Sequence, residues 1–217
     1  MATDMLRAAD FGPLIHSTDV DHAVISYLQT WLPTWLVGTE HRVGKPRSYL
    51  PRPTHYTATF DEDDDDHYSD QRLPTVFVTA NEAIDWVREG LKYSAFYQTN
   101  VSVVTRGRSK VEARLQASLY VATITDILLS RQSLGGFANG IDVVSERIRA
   151  VDDPSNRNRH LAAGMGEYVI MVPNVRWATS GPLTPFPPDP SHEPMPIVTE
   201  VEIDVIGREL SANLEEE

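Results

Sequence analysis

The sequence predicts an α+β fold in which a largely antiparallel or mixed β-sheet carries two main α-helices on one face, with long loops and arms attached. Three observations lead there. Two segments repeat apolar residues at three- and four-residue steps, several short β-branched runs alternate in the manner of strands, and links of hairpin length dominate the second half. The predicted order is helix, strand, strand, helix and then three strands, with no internal repeat of about 20–50 residues.

The first helix begins near Thr18, where Val20, Ala23, Val24, Tyr27, Leu28, Trp31 and Leu32 form one stripe and Ser17, Thr18 and Asp19 are candidate caps. Pro33 lacks an amide hydrogen and is expected to end or kink this helix, with Trp35 and Leu36 continuing the apolar face in a following turn. Trp31 and Trp35 read as core packing. From Glu40 to Asp70 the periodicity vanishes among Pro46, Pro51 and Pro53, although residues 55–60 alternate well enough for an extended arm. Asp61, Glu62, Asp63, Asp64, Asp65 and Asp66 then stand side by side, a density of like charge that favours a solvated loop.

Residues 73–79, Leu-Pro-Thr-Val-Phe-Val-Thr, read as a strand with Pro74 near its start, and the conformation of Ile84, Trp86 and Val87 is left open. A second strand over 95–105 puts Ala95, Tyr97, Thr99, Val101 and Val103 on its more apolar face. After the turn at Arg106 to Ser109 comes the longest helix. Ser109 and Glu112 have capping-box spacing, and Gly135 and Gly136 stop a helix predicted to run to Ser133. It has two apolar stripes: Val111, Leu115, Leu119, Ala122 and Leu129 on one side, and Ala113, Ala117, Tyr120, Val121, Ile124 and Leu128 on the other. Two stripes require two covers, the sheet for one and the first helix or another subunit for the second. Residues 141–150, 164–175 and 197–206 are the remaining strands, separated by a turn at 152–157 and a Pro-rich arm at 173–196.

Composition excludes several classes of function. The net charge is −12, yet Asp61 to Asp66 and Glu215 to Glu217 hold nine of the acids, so a nearly balanced body carries acidic segments and offers no basic footprint for DNA. With no cysteine, disulfides, thiolate zinc sites and thiol nucleophiles are ruled out. The N-terminus lacks the order of a signal peptide and no run of about 18 apolar residues occurs, so a soluble protein is expected.

Chemical motifs are sparse. The histidines show no metal-binding spacing, and the acidic run lacks the alternating pattern and closing glutamate of a calcium loop. The glycine-rich stretch at 133–140 follows a helix, the wrong end for cradling phosphate, and reads as helix termination and a turn. Gly164-Met165-Gly166 reads as a strand entrance or bulge. Arg106, Arg108, Lys110 and Arg114 form the one concentrated basic patch. It serves either solubility with local pairing to Glu112, or docking of an acidic surface such as the acidic loop of a neighbouring copy. Four charges are too few for nucleic-acid binding.

The wording of the central segment is distinctive: Leu-Pro-Thr-Val-Phe-Val from Leu73, Thr-Asn-Val-Ser-Val-Val-Thr-Arg-Gly-Arg-Ser from Thr99, the helix from Glu112 to Leu129, and Ser-Leu-Gly-Gly-Phe-Ala-Asn-Gly from Ser133. Over about 71–206 this resembles the tail terminator proteins of long-tailed (siphovirus-type) bacteriophages, especially those of actinobacterial hosts. The resemblance implies one domain over 1–217 and a homohexameric ring that caps the tail tube, ends its polymerisation and docks head-side neck proteins. It implies no catalytic residues, no cofactor and no metal, with assembly in the host cytoplasm and a place in the virion. DNA would pass through the lumen without specific binding, and no membrane is involved. In such a ring the acids at 61–66 are expected to face the lumen or its rim, where they would repel phosphates. Two readings compete: a head-completion or stopper protein of the neck, and, from a different class, a small metal-dependent enzyme.

Overall fold

The structure is a computed structural model that describes residues 14–58, 72–151 and 160–177. These belong to a compact unit, Met1–Leu183; a second unit, Thr184–Glu217, lies outside the described residues. So do the acidic run at 61–66, the turn at 152–157, the expected strand at 197–206 and the Pro-rich arm beyond Trp177.

Helix α1 (Ser17–Arg42) is followed by β1 (His55–Thr57), β2 (Thr75–Glu89), β3 (Lys92–Gly107), α2 (Lys110–Ser130), a 3₁₀ turn at Leu134–Gly136, β4 (Gly140–Val151) and β5 (His160–Trp177). The strands form one sheet in the order β1-β2-β3-β5-β4, parallel between β1 and β2 and antiparallel elsewhere. The expected α+β class is therefore the observed one, with a mixed sheet.

Helix α1 runs through Pro33, so of the two expected outcomes the helix end does not occur. The acceptor left without its donor is the carbonyl of Gln29, an exposed position that solvent reaches. Leu28, Leu32 and Leu36, all fully buried, lie on either side of the break and hold both halves against the sheet. At its start the Asp19 carboxylate accepts the backbone N–H of His16 at 2.8 Å. Trp31 and Trp35 are partly buried and flank the core without filling it.

Strand β2 extends well past Thr79, and the residues left open in the sequence, Ile84, Trp86 and Val87, form its outer half after bulges between Ala80 and Asp85. On β3 the expected apolar face, Ala95, Tyr97, Thr99, Val101 and Val103, is buried. It packs beneath Val20, Val24, Leu28, Leu32 and Leu36 of α1 and Tyr120, Val121, Ile124, Ile127 and Leu128 of α2.

Helix α2 is capped by Ser109, whose hydroxyl accepts the Glu112 N–H at 3.2 Å. Glu112 reaches back one residue further than a capping box requires, to the N–H of Arg108 at 2.8 Å. The helix stops at Ser130, three residues early; the Arg131 guanidinium lies 4.4 Å from the centre of the Trp31 ring, and Gly135 and Gly136 then take the positive φ angles expected of them.

Gly164 and Gly166 are neither an entrance nor a bulge. Both lie inside β5 in regular register with Val103 and Val101. A Cβ on Gly164 would sit 2.5 Å from Val121 Cγ2 and 2.8 Å from the Ala117 carbonyl, so its absence lets α2 approach the strand backbone. Gly166 makes room for the Tyr168 ring.

Candidate functional site

Of the two stripes on α2, Ala113, Ala117, Tyr120, Val121, Ile124 and Leu128 are buried against the sheet and α1. The other faces solvent. Val111 is 78% exposed, Leu115 40% and Leu129 42%, while Leu119 alone tucks partly into the core. At 100° per residue, Val111, Leu115, Ser118, Ala122 and Leu129 fall within about 60° of arc. The result is an outward apolar seam with small residues at its centre. Arg42 and Asp126, paired at 2.7 Å, bound it toward α1. Thr125 bounds it toward β4, its hydroxyl bonded to Glu146 and, at 2.8 Å, to the Tyr168 hydroxyl.

Helix α2 runs alongside β5 in the same direction, since Ala117 lies over Gly164 and Thr125 over Tyr168. Leu129 is therefore level with the start of β4. Exposed Val143 and Val144 stand there, on a strand with no partner on its outer edge among the described residues.

A second group of exposed apolar side chains lies on the β2–β3 hairpin, with Trp86 and Val87 on its opposite faces. Ile84, Trp86, Val87 and Leu91 are 36 to 58% exposed around a tip turned by Gly90 at φ +64°. Strand β1 covers β2 only at Thr75 to Phe77; further along, the buried Asp21 carboxylate accepts the Ala80 N–H at the first bulge. Burial raises the Asp21 carboxyl above its ordinary value against the opposing pull of that hydrogen bond and His22.

The third surface is charged. Gly107, whose Cβ would meet the Ala113 nitrogen at 2.3 Å, lets β3 turn directly into α2. Arg106 and Arg108 flank this turn and line an open groove of about 750 Å³, whose opposite wall is the loop after α1 with Lys45, Arg47 and Tyr49. Of the four basic residues of the expected patch, Arg106 and Arg108 line this groove. Lys110 and Arg114 are exposed on α2 and do not line the groove. Sequence reasoning missed Lys45 and Arg47, although the Lys-Pro-Arg stretch at 45–47 was a legible sign. The expected local pairing with Glu112 takes the form of a carboxylate bonded to the Arg108 backbone.

The loop that carries Lys45 and Arg47 is fixed from beneath. Glu40, 1% exposed, accepts the Leu50 N–H at 2.8 Å and the Arg52 guanidinium at 2.9 and 3.4 Å. Burial alone would raise the Glu40 carboxyl, but the hydrogen bonds from Arg52 and the loop backbone, with the Arg52 charge, outweigh it and hold the group below its usual range. Gln116 donates to the Tyr49 carbonyl at 3.1 Å, and the Tyr120 hydroxyl donates to that of Pro51. Lys45 lies over the Tyr49 ring, 5.0 Å from its centre.

No group of three His, Asp or Glu side chains is placed to hold a metal ion among the described residues, and no described helix is long and apolar enough to cross a membrane. The acids Asp61, Glu62, Asp63, Asp64, Asp65 and Asp66 lie outside the described residues.

Neither a protein-family model nor a curated protein sequence matches the chain. Among solved structures it is similar to a chain of the virion of a native gene transfer agent (GTA) particle, with 13% identity, a TM-score of 0.41, and coverage of 71% of this chain and 94% of that one.

Proposed function

We propose that the protein is a structural subunit of a phage tail: a tail terminator whose homohexameric ring caps the tail tube, ends its polymerisation and gives head-side neck proteins a docking surface. The sequence resemblance supplies the identity of the assembly. The observation that carries the reading is that one chain bears two unlike exposed apolar surfaces, the α2 seam and the β2–β3 hairpin. A two-fold dimer buries the same patch on both partners. Two unlike patches that fit one another make a heterologous contact, and rotation closes such contacts into a ring. Ser118 and Ala122 leave the middle of the seam shallow, and Trp86 on the hairpin is a large amphipathic anchor suited to such a recess.

Native mass measurement of the purified protein, alone and with tail tube protein, tests the proposal together with electron microscopy of the tubes. A terminator forms hexamers, caps tube ends and shortens the polymers. A stopper of the neck leaves tube length unchanged, and a chain that stays monomeric at every concentration with tubes present overturns the ring.

A further inference from the structure

We infer that the cationic groove between the loop after α1 and the N-terminus of α2 is the docking site of the chain's own acidic run, Asp61, Glu62, Asp63, Asp64, Asp65 and Asp66. The inference concerns a single chain and stands whether or not the ring forms.

Charge complementarity is the first support. Lys45, Arg47 and Arg108 surround one opening in which Glu112 is the sole carboxylate among the described lining residues, and Glu112 already bonds the Arg108 N–H. The amino end of α2 adds the positive pole of a 21-residue helix to the same wall. Six consecutive carboxylates are the matching charge. Nucleic acid is a poorer occupant, because its phosphates would have to approach a chain of net charge −12.

Reach is the second. The run lies between Ala58, where the described chain pauses, and Arg72, where it resumes. Asp66 is six residues from Arg72, a stretch that spans about 20 Å at full extension. Leu73 and Pro74, the next two residues, line a smaller pocket that shares Pro51, Arg106 and Gln116 with the groove. The tether therefore brings the run to the groove at an effective concentration of about a millimolar or more, which no separate acidic peptide matches at ordinary concentrations.

Preorganisation is the third. Glu40, Gln116 and Tyr120 already hold the loop wall in place, so docking does not require the receptor to be rebuilt. Docked in this way the run pairs within its own chain, an alternative to the lumen or rim position expected from the ring.

Zero-length carbodiimide cross-linking of the full chain tests this, with equal amounts of light and ¹⁵N-labelled protein mixed before reaction. Lys45 is expected to join carboxylates at 61–66 within one isotope only, at about 0.01 M salt, where the Debye length is about 30 Å, and to lose these links at about 1 M. Mixed-isotope links would make a second copy the occupant, and absence of any Lys45 link to the run would remove the run from the groove; either result overturns the inference. A second measurement uses the synthetic hexapeptide Asp-Glu-Asp-Asp-Asp-Asp. A variant with all six acids replaced by their amides binds it on the order of tenfold more tightly than the native chain, whose groove is self-occupied. Lys45→Glu, Arg47→Glu and Arg108→Glu in that background abolish binding. Equal affinity for the native and amide chains would overturn the inference.

Discussion

Replacing Glu40 by alanine removes one of the three side chains, with Gln116 and Tyr120, that tie the loop after α1 to the body of the protein. Glu40 is buried, its Oε1 accepts the N–H of fully buried Leu50, and Arg52 grips both of its oxygens. Breaking a buried pair costs about 3–5 kcal/mol. The Arg52 side chain is 30% exposed and regains some water, which reduces its share, while Leu50 loses its acceptor in a place solvent does not reach, a penalty of about 1–3 kcal/mol. Together these put Glu40→Ala at about 3–4 kcal/mol and a melting point about 6–16 °C lower for a chain of this size. Glu40→Gln keeps an acceptor for Leu50 and costs about 1–2 kcal/mol. Urea denaturation followed by the fluorescence of Trp31 and Trp35 on α1 reads both. The dependence on pH adds a check. A carboxyl held below its ordinary value contributes stability above about pH 4.5 and loses it as pH falls through the depressed folded value, so the gap between native and Glu40→Gln protein narrows from about pH 5 downward. A Glu40→Ala midpoint within about 1 kcal/mol of native, or a gap that widens in acid, would refute this account of the loop. The same variant should lower the yield of the Lys45 cross-links, because it frees the groove's outer wall.

Other outcomes follow from the remaining surfaces. Leu115→Glu with Leu129→Glu leaves monomer stability within about 0.5 kcal/mol, since both residues face solvent, and abolishes in native mass spectra the hexamers that the proposed ring requires. Trp86→Ser weakens the same assembly from the hairpin side without altering the far-ultraviolet spectrum of the monomer. Gly164→Ala forces a Cβ against Val121 and the Ala117 carbonyl and lowers stability in urea by about 1–3 kcal/mol. Burial pushes the Tyr56 and Tyr168 hydroxyls up to about 12, so in an ultraviolet titration neither ionises near pH 10. Their contribution to stability is complete below about pH 10, the value for an unfolded tyrosine, and declines as pH rises toward 12.

Much of this architecture was legible because apolar spacing and turn chemistry are local signals. The stripe from Val20 to Leu36, the capped start of α2 and the alternation on β3 all follow from residues a few positions apart. Pro33 misled as a helix end because the local rule counts a missing donor, whereas the outcome depended on solvent access at Gln29 and on three leucines packing on both sides of the proline. Gly164 and Gly166 misled for a related reason: their purpose is set by α2 and by Tyr168, and no neighbour in sequence announces it. The basic patch was half legible. Arg106 and Arg108 flank one turn, but Lys45 and Arg47 arrive from a loop some sixty residues earlier in the chain, placed by Glu40, Gln116 and Tyr120 through contacts that no spacing encodes. The exposed stripe on α2 was legible as a face in need of a cover.

The missing side chain at Gly164 also has a mechanical meaning. Because the backbone of α2 rests almost directly on the backbone of β5, a force applied to the outer side of the helix passes into the sheet through peptide units, which deform little. At that crossing it does not first compress a cushion of side chains that can change rotamer. A protein built in this way is stiff in the direction normal to its sheet at that crossing, and a partner that gripped Val111, Leu115 and Leu129 would in effect grip the strands below.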